Sequence, residues 1–380
     1  MKPRIVILGA GFGGLELATT LSETHGDALA VTLIERSDHF VFGFSKLDVL
    51  FGRQTADAVR VSYETLAKPG VRLVRETVTA IDPATRRVTT NAGVHDADYL
   101  VIALGADYDV SQTPGVVLGD NEFYTVAGAT RVRDVVSRFD KGHAVIGLCG
   151  APYKCPPAPS ECALLLHDHL AKRGVRGACS IAIVSPLPTP VPPSPETSAA
   201  LLAAFAEHDI EYVASTRVVA VDRAREIIKL DNGTERPCQL FLGVPKNRAP
   251  DVVVAAGLTK DGWVTIDQHT LETPFARVWA IGDLANTGAP KAGVFAEAAA
   301  KTVAANIGAL LRDQTPTAQY PGAGSCYIEL GGDRVARVDV DFFSGPQPTG
   351  RFYPPSVELR ADKERFGATR RARWFGQRWR

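Results

Sequence analysis

The chain lacks the features that mark several specialised classes of protein. It has no uninterrupted apolar run of the roughly 18 residues that a membrane-crossing helix needs. It has no net charge, since 42 Lys and Arg balance 42 Asp and Glu, so no global field draws it to nucleic acid or a membrane surface. No nucleic-acid-binding fold signal accompanies that neutrality. Six cysteines in 380 residues are too sparse for a disulfide scaffold, so any disulfide is expected to do redox chemistry. The N-terminus opens directly into a strand, Arg4-Ile-Val-Ile-Leu8. A leader peptide there would need a cleavage site that destroys the strand, so the expected location is cytoplasmic. Cys149, Cys155, Cys162, His167 and His169 lack zinc-site spacing, and no metal is expected.

What is present is ordinary globular composition, 45% hydrophobic and 22% charged, at a length that suits two or three domains. Arg4–Leu8, a helix from Leu15 to about Glu23, and Ala30–Glu35 form a strand–helix–strand unit, which implies a parallel sheet. Ala97–Ala103 reads as another buried strand. A second unit runs through the strand Ala144–Leu148, a helix from about Pro159 to Arg173 and the strand Ser180–Val184. The proline-rich stretch 186–195 must be extended loop, and a helix follows over Glu196–His208. Asp251–Ala256 and Val278–Ile281 have buried-strand composition, and Gly293–Leu311 is an alanine-rich helix. Ser325–Leu330 and Arg334–Phe343 read as strands, followed by proline loops and a basic tail.

Gly9-Ala-Gly11-Phe-Gly-Gly14 follows a strand, opens a helix and meets an acid, Glu35, at the end of the next strand. Gly9 serves the tight turn, Gly11 the approach of backbone to a pyrophosphate and Gly14 the close packing of helix on strand. The helix N-terminus offers N–H donors and a positive dipole to phosphates, and Glu35 accepts ribose hydroxyls.

Farther along, Thr273-Pro-Phe-Ala-Arg-Val-Trp-Ala-Ile-Gly282-Asp283 resembles the second FAD signature of the pyridine-nucleotide-disulfide oxidoreductase superfamily. The resemblance implies FAD, with Asp283 on its ribityl chain. It extends to Asp98–Gly105, similar to the central strand and turn of that superfamily. It also includes the helix after Lys291, whose N-terminus would face the flavin pyrimidine and stabilise charge there.

The second unit departs from the pattern of relatives that use NAD(P)H. Its loop, Gly147-Leu-Cys149-Gly-Ala-Pro-Tyr-Lys-Cys155-Pro-Pro-Ala-Pro159-Ser-Glu161-Cys162, keeps only two glycines. Its prolines remove donors that a pyrophosphate needs, which argues against a nicotinamide substrate. Lys154-Cys155-Pro-Pro-Ala-Pro-x-Glu161 resembles the segment holding one active cysteine in sulfide:quinone oxidoreductases and flavocytochrome c sulfide dehydrogenases. Gly324-Ser-Cys326-Tyr is more loosely similar to the segment holding the second. The resemblance spans about residues 1–345. It implies a redox pair, Cys155 and Cys326, in which hydrosulfide attacks the disulfide and electrons pass to FAD. A cysteine at a helix start beside Lys154 is expected to have a favoured thiolate. Glu161 is read either as a proton shuttle or as a first-turn acid balancing the dipole.

Three departures from those families matter. No cysteine precedes Cys149, so a third active cysteine is absent or supplied by Cys149 or Cys162. Residues 39–46 contain no cysteine, so the FAD should be noncovalent. The longer membrane helices of the quinone enzymes have no counterpart. The tail Arg370–Arg380 combines arginines with Trp374, Phe375 and Trp379. It fits either an interfacial anchor or docking patch, or a solvated tail whose aromatics pack on the protein.

The expectation is therefore an α/β flavoprotein with two Rossmann-like domains, the second without a working nucleotide loop, and a small C-terminal α+β segment. FAD-binding residues are 1–115 and 240–318; residues 116–239 carry Cys155; residues 319–380 carry Cys326. The site comprises Cys155, Cys326 and Glu161, with Gly9, Gly11, Gly14, Glu35, Gly105, Gly282, Asp283 and Lys291 for the cofactor. The substrate is sulfide or a small sulfur compound and the acceptor quinone. A soluble acceptor such as a cytochrome, an NADH:quinone reductase and a redox sensor without turnover are the alternatives. Peripheral membrane contact and a homodimer stay open.

Overall fold

The computed structural model describes residues 1–376. The first strand, β1 (Arg4–Leu8), runs into helix α1 (Phe12–His25) through the glycine turn and returns as β2 (Ala30–Glu35). After the short helix α2 (Ser45–Leu50) come β3 (Val71–Arg75) and β4 (Tyr99–Ile102). Helix α3 (Val126–Val136) leads to β5 (Gly142–Leu148), α4 (Ala158–Lys172), β6 (Cys179–Val184), α5 (Pro195–Glu207), β7 (Ile210–Val213) and β8 (Leu240–Val244). A short helix α6 (Asp251–Ala255) precedes β9 (Val278–Ala280) and the long helix α7 (Gly293–Leu310). The chain closes with β10 (Ala323–Glu329), β11 (Val335–Asp341), β12 (Thr349–Tyr353) and helix α8 (Val357–Phe375).

These strands form two parallel sheets. One has the order β9-β4-β1-β2-β3, the other β7-β6-β5-β8. Their central strands are apolar because both faces are covered, one by helices and the other by strands 78–90 in the first sheet and 218–230 in the second; Ile5, Ile7, Leu8, Leu100, Val101 and Ile102 are fully buried. β10, β11 and β12 make a third, antiparallel sheet. The first parallel sheet is completed only by β9, which pairs with β4 after the whole second sheet has been traversed.

Two segments differ from expectation. Asp251–Ala256, with its three consecutive valines, is helix α6 rather than a strand. Pro250 precedes it, Gly257 follows at φ +68°, and only Val253 of the three valines is buried, so burial follows a helix rather than a ladder. The basic tail, for which no element was expected, belongs to a helix: α8 runs to Phe375 over 19 residues. The Ser356 hydroxyl accepts the Leu359 N–H at 3.2 Å, and Gly376 ends the helix at φ +67°, an N-cap and a left-handed stop.

Two of the tail aromatics, Trp374 and Phe375, are inside the protein. Trp374 is 0% exposed. It packs edge-on against Phe12 and Phe40 and stacks on Phe42, with ring centroids 5.5, 5.6 and 6.2 Å away. Its indole N–H donates to Glu16 of α1 at 2.9 Å. Arg373 pairs with Glu16 and Glu23, and Arg370 reaches Glu297 of α7 with two bonds of 2.5 and 2.7 Å. Trp374 and Phe375 are thus not offered to a lipid surface; Arg378, Trp379 and Arg380 lie outside the described residues. No helix among the described residues is long and apolar enough to cross a membrane.

Candidate active site

The glycine turn after β1 is shaped by contact. A Cβ on Gly14 would lie 1.9 Å from the Gly9 carbonyl oxygen, so α1 packs on its own turn as only glycine permits. Gly9 sits at φ +95°, and a Cβ there would strike the Ala103 carbonyl at 2.6 Å. Gly11 faces open space and borders a cavity of about 320 Å³. Glu35, at the end of β2, also borders it and braces the turn. Its carboxylate accepts Ala10 N–H and Ser37 N–H, both at 2.9 Å. The Tyr63 hydroxyl donates to the Ala10 carbonyl at 2.6 Å.

The same cavity draws its far wall from the end of the chain. Gly105, Gly282, Asp283, Lys291 and Gly293 line it. Lys291 donates to the Asp283 carbonyl at 2.5 Å and lies 3.4 Å from the centre of the Trp263 ring. Both α1 and α7 begin at this cavity without a side-chain cap. Their free N–H groups and dipoles therefore face it from two sides. Burial pushes the Asp283 carboxyl up, opposed by the ammonium groups of Lys154, Lys291 and Lys46. A glycine turn, a bracing acid, two uncapped helix starts and a buried carboxylate around one cavity fit an FAD molecule.

Cys155 is the only cysteine in the cavity wall among the described residues, and Glu161 borders the same space. The cysteine is held by its backbone, whose N–H donates to the Lys291 carbonyl at 2.9 Å and whose carbonyl accepts from Ala158 at 2.9 Å. It lies outside α4, which starts at Ala158. The expected helix-start effect on its thiol is not realised: burial pushes the thiol up, with Glu161 and Cys326 adding to the rise. The cation expected to oppose this also differs. Lys154 points away, donating to the Ala106 carbonyl at 2.8 Å with Tyr108 beneath it at 4.1 Å. Lys46 and Lys363 are the cations that favour the Cys155 thiolate. Lys46 lines the cavity, and burial lowers its own pKa to about 8.

Cys326, on β10, is a free thiol like Cys155. It does not border the cavity, yet it is close enough to Cys155 for charge on it to raise that thiol. Burial and Glu161 push the Cys326 thiol up to about 12. The remaining cysteines belong elsewhere. Cys149 is packed with Val116, Val145 and Phe241 in a separate core; Cys162, on α4, is wholly buried; Cys179 and Cys238 are buried. Among the described residues no group of His, Cys, Asp and Glu side chains converges as a metal site. His167 stacks on His208, ring centroids 4.1 Å apart, and His169 faces a different cavity.

Lys46, Tyr108, Tyr124 and Lys363 join the site without having been expected. Residues 39–46 were informative in the sequence only for lacking cysteine, although Lys46 just after the apolar run Phe40–Phe44 was visible. Lys363 lies more than 200 positions from the cysteine it faces, and no local pattern reveals that.

The loop that replaces the second glycine motif is long. α4 starts at Ala158 after β5 ends at Leu148, whereas α1 starts at Phe12 after β1 ends at Leu8. Cys149 N–H is spent on the Val244 carbonyl at 3.0 Å rather than offered to a ligand.

Comparisons agree with this architecture. A mouse protein, "Sulfide:quinone oxidoreductase, mitochondrial", is 25% identical over 365 residues, covering 92% of this chain and 80% of its own. The "Sulfide-quinone reductase" of Aquifex aeolicus is 27% identical over 333 residues, covering 81% and 76%. The solved sulfide:quinone oxidoreductase of Aquifex aeolicus superposes with a TM-score of 0.86 at 23% identity, over 98% of this chain and 92% of that one. Residues 3–303 match the pyridine nucleotide-disulphide oxidoreductase family, so the chain belongs to that family and is a flavin-dependent oxidoreductase.

Proposed function

We propose that the protein oxidises sulfide, or a related small sulfur species, and passes the electrons through noncovalently held FAD to quinone. One observation carries this reading: a cysteine, Cys155, stands in the wall of the cavity bordered by the glycine turn, with a second thiol and a buried carboxylate, Glu161, in electrostatic reach. The two relatives named for sulfide and quinone support the same chemistry.

FAD, when bound, supplies the two-electron acceptor beside Cys155. Gly9, Gly11, Gly14 and the start of α1 hold its pyrophosphate, Glu35 its ribose, and Asp283 its ribityl chain. Gly105, Gly282 and Lys291 shape the flavin end, where the start of α7 favours negative charge. Cys155 is the one cysteine lining the cavity among the described residues, and a cysteinyl tether through it would consume the reacting thiol, so the cofactor is held without one.

In the oxidised enzyme Cys155 and Cys326 form a disulfide. Hydrosulfide attacks one sulfur of the pair. A bond to the substrate sulfur forms, the Cys155–Cys326 bond breaks, and the other cysteine leaves as a thiolate. Lys46 stabilises that thiolate when Cys155 carries it. The remaining S–H proton passes to Glu161 as general base.

The test is an anaerobic spectrum of the yellow protein before and after sulfide, with NADH in a parallel sample. Sulfide should bleach the flavin and NADH should not; a water-soluble quinone should then restore the colour. Cys155→Ser should retain FAD and lose sulfide-driven bleaching. Bleaching by NADH alone would overturn the reading. Restoration by a cytochrome but not by quinone would reassign the acceptor.

A further inference from the structure

On the side of Glu161 away from the cofactor lies a second cavity of about 470 Å³, lined by Asp48, Arg53, Glu329 and Lys363 among others. Glu161 faces the first cavity and these four face the second. Phe44 borders both. The wall between them is a connected set of charges. The Lys363 ammonium, from α8, is 3.7 Å from Glu161 Oε1 and in contact with Glu329. The Glu329 N–H donates to Glu161 Oε1 at 3.0 Å. Arg53 lies 2.5 Å from Glu329 and 2.8 Å from Asp48. Glu161 is 3% exposed, and Lys363 and Glu329 only 14%. A carboxylate so deep would be neutral without a cation held against it.

Building on the sulfide reading, we propose that Lys363 is a positioning residue for the thiol chemistry. It keeps Glu161 ionised beside Cys155 and Cys326 and connects it to the second cavity, where the substrate proton leaves. The proton taken from the sulfur-bound S–H goes to a Glu161 oxygen and from there to solvent in the second cavity. No electron moves in this step.

The charged and titratable groups facing Glu161 are Lys363 from α8, Glu329 and Cys326 from β10, Arg53 beyond α2, Cys155 from the loop and Cys162 from its own helix. Burial raises the Glu161 carboxyl, Lys363 and Arg53 lower it, and the Glu329 charge raises it. The signs of two substitutions are therefore opposite. Lys363→Met removes the opposing cation, so the acid limb of sulfide-driven flavin bleaching should move to higher pH. Glu329→Gln removes a like charge and frees two cations, so the limb should move to lower pH. A shift of one pH unit is a tenfold change in rate on the limb, and shifts of about that size are expected.

The experiment is rapid mixing of each FAD-loaded enzyme with sulfide across pH, with Lys363→Arg as the charge-retaining control. Opposite shifts, with Lys363→Arg close to wild type, support the proposal. Superposable profiles in all four proteins overturn it, since a purely structural role changes amplitude or stability and not the limb. If Lys363→Met does not retain FAD, the Glu329→Gln shift alone decides. If sulfide fails to bleach wild type at any pH, the sulfide reading fails. The Lys363 inference is then decided by the pH dependence of Cys155 alkylation in the same proteins, where the same opposite shifts are required.

Discussion

At the scale of single residues, the site is governed by burial competing with a few well-placed cations. Cys155 is raised by burial, and Lys46 is the cavity-lining group that pulls it back. Lys46→Met should slow sulfide-driven bleaching at pH 7 by about tenfold, the effect of roughly one pKa unit on the thiolate. An unchanged rate would mean that the cation faces the thiol without helping it. In wild type the help should also fade above pH 8, because Lys46 gives up its proton near there. The glycine turn makes a second residue-scale prediction. Gly14→Ala places a methyl 1.9 Å from the Gly9 oxygen, so the purified protein should carry much less flavin by its visible-to-ultraviolet absorbance ratio. A full flavin complement would contradict the packing argument.

At the scale of elements, legibility in the sequence tracked how local the cause was. β1, α1, β2 and the turn between them were readable because strand, glycines and acid follow one another within about thirty residues, each constrained by the same ligand geometry. Asp251–Ala255 was misread because three valines look like a strand, whereas Pro250 and Gly257 enforce a single helical turn. α8 was missed because nearly half of its residues are charged, so the pattern resembled a solvated tail. Its stabilisation comes from tertiary partners, Glu16, Glu23 and Glu297, that lie far away in sequence. Cys155 and Glu161 were legible from one short motif. Lys46 and Lys363 were not, because only folding brings them to it. The buried end of α8 carries a measurable load. Trp374→Ala should cost about 3–5 kcal/mol in chemical denaturation, the usual range for a fully buried aromatic. A loss below about 1 kcal/mol would mean that the aromatic wall closes without it.

At the scale of the whole molecule, the cofactor cavity takes its lining from α1, β2, the loop before α4 and the start of α7. A ligand bound there should therefore stabilise the entire fold. FAD at a hundred times its Kd should add about 2.7 kcal/mol to stability and raise the melting temperature of stripped protein accordingly. NADH should leave the melting temperature unmoved, since residues 149–157 offer no glycine cradle; a rise with NADH would reopen the second nucleotide site. The late position of β9 has a further consequence, for the order in which the molecule assembles. During synthesis β4 waits at an open sheet edge while the strands of the second sheet, 142–244, emerge and pair among themselves. Only the arrival of residues 278–280 covers that edge, and only α7 then supplies the last wall of the cleft. The flavin cleft is thus complete only once the start of α7 has been made, and until residues 278–280 arrive the nascent chain exposes an apolar strand edge of the kind that invites wrong pairing.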